Sequence, residues 1–98
     1  MLFKVSVLLQ AQREIDEAIE YYAEISPSIP PKFIHDLEVA YNTLSETPYY
    51  QKRYLNLRGF PMKRFPFILF FTIDEKQQKV RIVSCFHTSK NPDKYPKK

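Results

Sequence analysis

Four side chains have the types that metal-free chemistry on a phosphodiester requires: Arg64, His87, Lys90 and Tyr95. Cleaving RNA without a metal takes a base for the 2′-hydroxyl, an acid for the leaving oxygen and cations for the charge building on phosphorus. Histidine as a residue type suits the first two tasks. A histidine making ordinary hydrogen bonds at a sheet edge is the simpler reading, so these residues are candidates for catalysis without an assigned role. His35 sits among acidic neighbours in a helical stretch and reads as a surface residue. Cys85 and His87 share a strand face, but two ligands without a third do not make a zinc site. No metal and no cofactor are expected, and Cys85 reads as a small buried apolar residue.

A second set is basic. Lys52, Arg53, Arg58, Lys63 and Arg64 cluster across two strand-like segments and their turn, and Arg81 lies on the next strand. Tyr54, Phe60 and Phe65 interleave with them. That mixture suits RNA or an acidic peptide, and it equally suits a solvated basic edge that blunts aggregation. The net charge of +4 and pI near 9.2 favour an anionic partner without identifying one. The glutamates at 14, 17, 20 and 24 read as a solvated helix face.

These groups need elements to hold them. Residues 2–9, "LFKVSVLL", read as a strand. Ala11, Ile15, Ala18, Ile19, Tyr22 and Ile25 then recur on one helical stripe. Ser26-Pro27 ends that helix, because proline disfavours helical backbone in the residue before it. Ser28 is placed to cap a second helix, with Pro30 and Pro31 in its first turn. Phe33, Leu37, Ala40, Tyr41 and Leu44 repeat the stripe, so the two helices should form an antiparallel hairpin. "KRYLNLRGF", "RFPFILFFTI" and "VRIVSCFHT" read as the strands of a meander.

The expected fold is α+β: an N-terminal strand, an antiparallel helical hairpin and a three-stranded antiparallel meander in one sheet. It occupies residues 1–98 as a single domain, with a loosely ordered tail at 91–98. In strand 64–73, Phe65, Phe67, Leu69, Phe71 and Ile73 should face the helices. Pro66, Ile68 and Phe70 should lie on the other face, where an uncovered apolar centre would mark a partner site. The single Gly excludes a glycine-rich phosphate loop, and the single Cys excludes an internal disulfide framework. The apolar N-terminal run is too short for a membrane span and lacks a signal-peptide cleavage site. A soluble cytoplasmic protein without membrane attachment is expected.

Two stretches carry a family resemblance. "AQREIDEAIEYYAEISP" resembles the first helix of the RelE/ParE superfamily of toxins from type II toxin–antitoxin modules. "FPFILFFTIDEKQQKVRIVSCFHTSKNP" is similar to that family's Phe-Pro-aromatic, strand, turn, strand and His-x-x-Arg-x-Pro pattern, with Lys90 in place of the arginine. The resemblance implies a cognate antitoxin that neutralises the chain and assembles with it, and a target that is DNA gyrase or the ribosome and its mRNA. The strand after Phe67 lacks the basic residues of the ribonuclease branch, so the ParE branch is the better match. Contact with the target would then fall to Arg53, Arg58, Lys63, Arg64 and Arg81, and antitoxin contact to Pro66, Ile68 and Phe70. A RelE-like endoribonuclease and a non-toxic binding module of the same fold are the alternatives.

Overall fold

Ala11, Ile15 and Ala18 bury one face of helix α1 (Leu9–Ile25), and Phe33, Leu37, Ala40 and Leu44 bury one face of α2 (Ile29–Glu46). The structure, a computed structural model, describes residues 2–89. Its strands are β1 (Lys4–Val7), β2 (Lys52–Tyr54), β3 (Leu57–Pro61), β4 (Phe67–Asp74) and β5 (Lys79–His87). Lys90, Tyr95 and the tail at 91–98 lie outside the described residues.

α1 stops where the proline requires it. Ser26 takes extended backbone (φ −164°, ψ 137°) before Pro27, while its N–H still bonds Tyr22 O at 3.0 Å. The expected Ser28 cap is not made. Ser28 is itself nearly helical, and its N–H donates to Ser26 Oγ at 3.3 Å. Ser26 therefore organises the joint, and the prolines occupy the first turn of α2 as expected.

The sheet has five strands in the order β1-β5-β4-β3-β2. β1 runs parallel to β5, with Val5 opposite Val80, because the helical hairpin carries the chain across the sheet between them. The remaining pairs are antiparallel, as short connections demand. The meander has one strand more than expected. "KRYLNLRGF" is not a single strand: it folds back at Leu55-Asn56 to pair β2 with β3, with Leu55 at φ 52°.

The main core lies between the helices and one sheet face. It contains Ile15, Phe33, Leu37 and Leu44 with Phe67, Leu69, Phe71, Val80 and Ile82. Ile19, Tyr22 and Tyr41 are half-buried against it, whereas Ile25 is exposed at the end of α1. The far face carries a second core of Leu57, Ile68, Phe70 and Phe86. This corrects the expectation of an uncovered patch: Ile68 is 7% exposed and Phe70 0%. The sole glycine, Gly59, permits part of that closure. A Cβ there would clash with Arg53 Cδ and crowd Ile68 Cγ2 at 3.1 Å, so the Arg53 stem lies directly over the glycine.

Candidate functional site

His87 ends β5, paired with Phe67 and with its ring centre 5.0 Å from the Phe67 ring in an edge contact. Ser89 N–H donates to His87 Nδ1 at 3.1 Å, and Ser89 Oγ lies 2.6 Å from the same nitrogen. A ring nitrogen that accepts from a backbone N–H carries no proton. Among the described residues, no hydrogen bond engages the other ring nitrogen, Nε2. His87 shares an open groove of about 280 Å³ with Glu14, Glu17, Tyr21, Cys85 and Ser89. Cys85 is 2% exposed, as a small apolar core residue would be.

Glu14 was not legible as a site residue. It is half-buried, and its Oε1 accepts from Ser84 Oγ at 2.8 Å and from Cys85 N–H at 2.9 Å. It thus clips α1 to β5 two residues before His87. A signal was present: Ala11, Glu14, Ile15 and Ala18 follow the i, i+3, i+4, i+7 spacing of a buried face. Glu14 belongs to the core stripe and departs from the solvated face assigned to the acidic residues.

The second catalytic candidate is placed elsewhere. Arg64 lies in the loop between β3 and β4 and forms a bidentate pair with Asp36 of α2, Nη2 donating to Oδ1 at 2.8 Å and Nε to Oδ2 at 3.2 Å. Below it, the rings of Tyr22, Phe33, Phe65 and Phe67 pack together, with Phe33–Phe65 centres 5.1 Å apart. Exposed Pro66 joins Tyr22, Ile29, Lys32, Arg64 and Phe65 around an open cavity of about 450 Å³.

The hydrogen bond and charge of Arg64 hold the Asp36 carboxyl below its ordinary value of 3.8. A depressed folded-state pKa means stability that is complete above the unfolded value and lost as pH falls through the folded one. Arg64→Ala should therefore remove part of the acid dependence of Tm below about pH 4. Thermal melts of both proteins from pH 6 to pH 2 check this. Parallel profiles would show that the pair is not formed in solution.

The remaining basic residues divide between two places. Lys63 borders a small cleft with Asp36, Val39, Tyr50 and Phe60, on the helix side. Arg58 and Arg81, with Lys52, Asn56 and Lys76, line an open groove of about 530 Å³ at the turn end of the sheet. Arg58 donates to Tyr50 O at 2.8 Å and lies 5.8 Å from the centre of the Tyr49 ring. Arg81 pairs with Asp74 at 3.4 Å. Arg53 is exposed on β2. The single basic cluster read from the sequence is thus two separate surfaces.

A parallel N-terminal strand, a helical hairpin and an antiparallel meander ending in a histidine define a RelE/ParE-type toxin fold. A family model described as the ParE toxin of the type II toxin–antitoxin system parDE matches residues 5–92, and the chain belongs to this family. Among solved structures, it is similar to a chain of the chromosomal ParDE toxin–antitoxin system from P. aeruginosa. That match has a TM-score of 0.75 at 15% identity and covers 88% of this chain and 96% of the other. A chain of the RelBE2 toxin–antitoxin complex from Mycobacterium tuberculosis matches with a TM-score of 0.60 at 20% identity, covering 89% and 99%. No curated protein matches significantly. The chain is a type II toxin of the ParE family.

Proposed function

We propose that this toxin inhibits DNA gyrase by contact and is neutralised by a cognate antitoxin. The family match over residues 5–92 carries the reading. The placement of the charged groups supports contact over catalysis. The buried run Phe67–Phe71 offers no cation to a phosphate, and Arg64 is engaged by Asp36. Arg53, Arg58 and Arg81, near one end of the sheet, are the proposed target contacts, with Lys63 and Arg64 as a second patch.

The antitoxin is proposed to pack along the helical hairpin and the loop holding Pro66. Tyr21, Ile34 and Val39 are exposed apolar groups there, and Lys32, Lys63 and Arg64 would meet acidic side chains. The burial of Ile68 and Phe70 in the second core supports an interface that does not include them.

One observation favours a second reading, RelE-like RNA cleavage: His87 lines the Glu14 groove, and among the described residues no hydrogen bond engages its Nε2. Expression without antitoxin, followed by supercoiling and translation assays on purified components, separates the two. The expected result is growth arrest with supercoiling inhibited, and a gradual loss of inhibition in His87→Ala. If RNA is cut instead, His87→Ala should lower the rate by about a hundredfold, the scale of a lost proton-transfer group. Growth arrest with supercoiling intact would end the gyrase reading. No arrest at all would leave a binding module.

A further inference from the structure

Leu55 stands where leucine suits the backbone poorly. It is the first residue of the two-residue loop joining β2 to β3, at φ 52°. Among hairpin loops of this length, a positive φ at the first position alone marks the turn that takes glycine there. Left-handed backbone is costly for an L side chain because Cβ crowds the following carbonyl. Gln78 is also left-handed but has compensation: its side-chain amide donates to Glu75 O at 2.8 Å within the same turn. Leu55 has no polar group to offer. Its side chain is 66% exposed, so burial does not offset the backbone cost either. Uncompensated strain of this kind concentrates at sites where a ligand or partner is engaged.

The surroundings define the partner's chemistry. The Arg58–Phe71 register places the β2–β3 loop beside the turn between β4 and β5. The groove between these turns holds Lys52, Arg58, Lys76 and Arg81. Asp74 engages Arg81 at 3.4 Å, and Glu75 accepts from Tyr49 Oη at 3.4 Å. Lys52 and Lys76 have no ion-pair partner among the described residues. The tip therefore presents one apolar side chain beside a groove in which the cations Lys52, Arg58, Lys76 and Arg81 outnumber the carboxylates Asp74 and Glu75.

The geometry points to Leu55 as an anchor that the β2–β3 tip inserts into an apolar pocket of a target protein, with carboxylates at the pocket rim meeting Lys52, Lys76 and Arg58. A nucleic acid fits less well, because leucine has no π-face on which a base could stack. The inference rests on the chain acting as a toxin and is independent of whether gyrase is the target.

The test compares Leu55→Asn, Leu55→Gly and Leu55→Met by melting the purified proteins and by titrating expression against growth arrest. Asparagine and glycine tolerate the left-handed backbone, so each should raise Tm, by about 4 °C or more. Each should also need about tenfold more protein for arrest, as loss of an anchor side chain implies. Leu55→Met keeps the apolar group and the strain, and should match the wild type in both readouts. Full arrest by Leu55→Asn, lost arrest in Leu55→Met, or no gain in Tm from either tolerant residue would overturn the assignment. So would a wild-type chain that arrests nothing. Duplex DNA and single-stranded RNA probes should bind wild type and Leu55→Asn equally; affinity that depends on Leu55 would transfer the site to nucleic acid and overturn the protein pocket. Leu55-dependent arrest with supercoiling untouched supports the anchor and ends only the gyrase reading.

Discussion

Phe70→Asp should abolish the cooperative unfolding transition, leaving a chain that is unfolded at 25 °C. Phe70 is 0% exposed in the centre of β4, between Gly59 of β3 and Ser84 of β5. Its ring meets Phe86 with centres 5.9 Å apart, edge to face, above Leu57 and Ile68. Two costs add. Removing a buried phenylalanine forfeits about 3–5 kcal/mol. Placing a carboxylate in that space costs several kcal/mol more, or forces it to take up a proton. A domain of this size has a total stability of only about 5–15 kcal/mol, so the sum consumes most or all of it. Circular dichroism melts and urea titrations check the outcome. A Phe70→Asp protein that unfolds cooperatively within about 0.5 kcal/mol of wild type would place Phe70 at the surface. The result also bears on function. Toxicity or antitoxin binding lost in this variant reports the loss of the fold, so the face opposite the helices cannot be mapped as an interface by this substitution.

That second core shows how far the sequence could be read. The alternation along 64–73 assigned the faces correctly: Phe67, Leu69 and Phe71 meet the helices, and Ile68 and Phe70 do not. Part of what lies over the second face, the Arg53 stem above Gly59, was hidden, because it belongs to a hairpin that the turn rules miss. Two-residue loops announce themselves through Asn-Gly or a leading glycine. Here the left-handed position is Leu55, inside a run whose alternation continues through the turn as though one strand crossed it. The helices were legible because their apolar stripes persist for several turns and a proline marks the joint. Ile25 was misplaced on that stripe because periodicity does not say where the sheet beneath ends.

The site was less legible for a related reason. Residue types nominate His87 and Arg64 for the same chemistry, but only the fold shows that Asp36, remote in sequence, engages one of them. Glu14 carried the spacing of a core residue and was assigned to the solvated face because glutamate is rarely buried without a partner. Its partners, Ser84 Oγ and Cys85 N–H, lie on the last strand.

Phe33→Ala should cost about 3–5 kcal/mol, the range for a fully enclosed aromatic side chain. Phe33 is 0% exposed near the start of α2. Its ring centre lies 5.7 Å from Tyr22, 5.1 Å from Phe65 and 5.6 Å from Phe67. The residue therefore holds three parts of the molecule together: the last turns of α1, the loop before β4, and β4 itself. Shrinkage to alanine cannot be absorbed by one neighbour, because each is fixed by a different element, so the cavity persists and the cost approaches the upper figure. For a domain near this size the loss corresponds to a fall in Tm of about 12 °C or more. Edge-to-face pairs also contribute beyond buried area, about 0.5–1.5 kcal/mol each. A cycle combining Phe33→Ala with Phe65→Ala should therefore be non-additive by about that amount. Urea denaturation with an unchanged m-value checks the single variant, and the four-protein set checks the coupling. The functional consequence follows from position. The loop before β4 carries Arg64 and Phe65, and Phe67 at the start of β4 abuts His87, so loosening this cluster disturbs the surface proposed for the antitoxin while Leu55, at the other end of the sheet, stays in place. A loss below about 1 kcal/mol, or strict additivity with Phe65→Ala, would mean that this aromatic cluster does not form in solution.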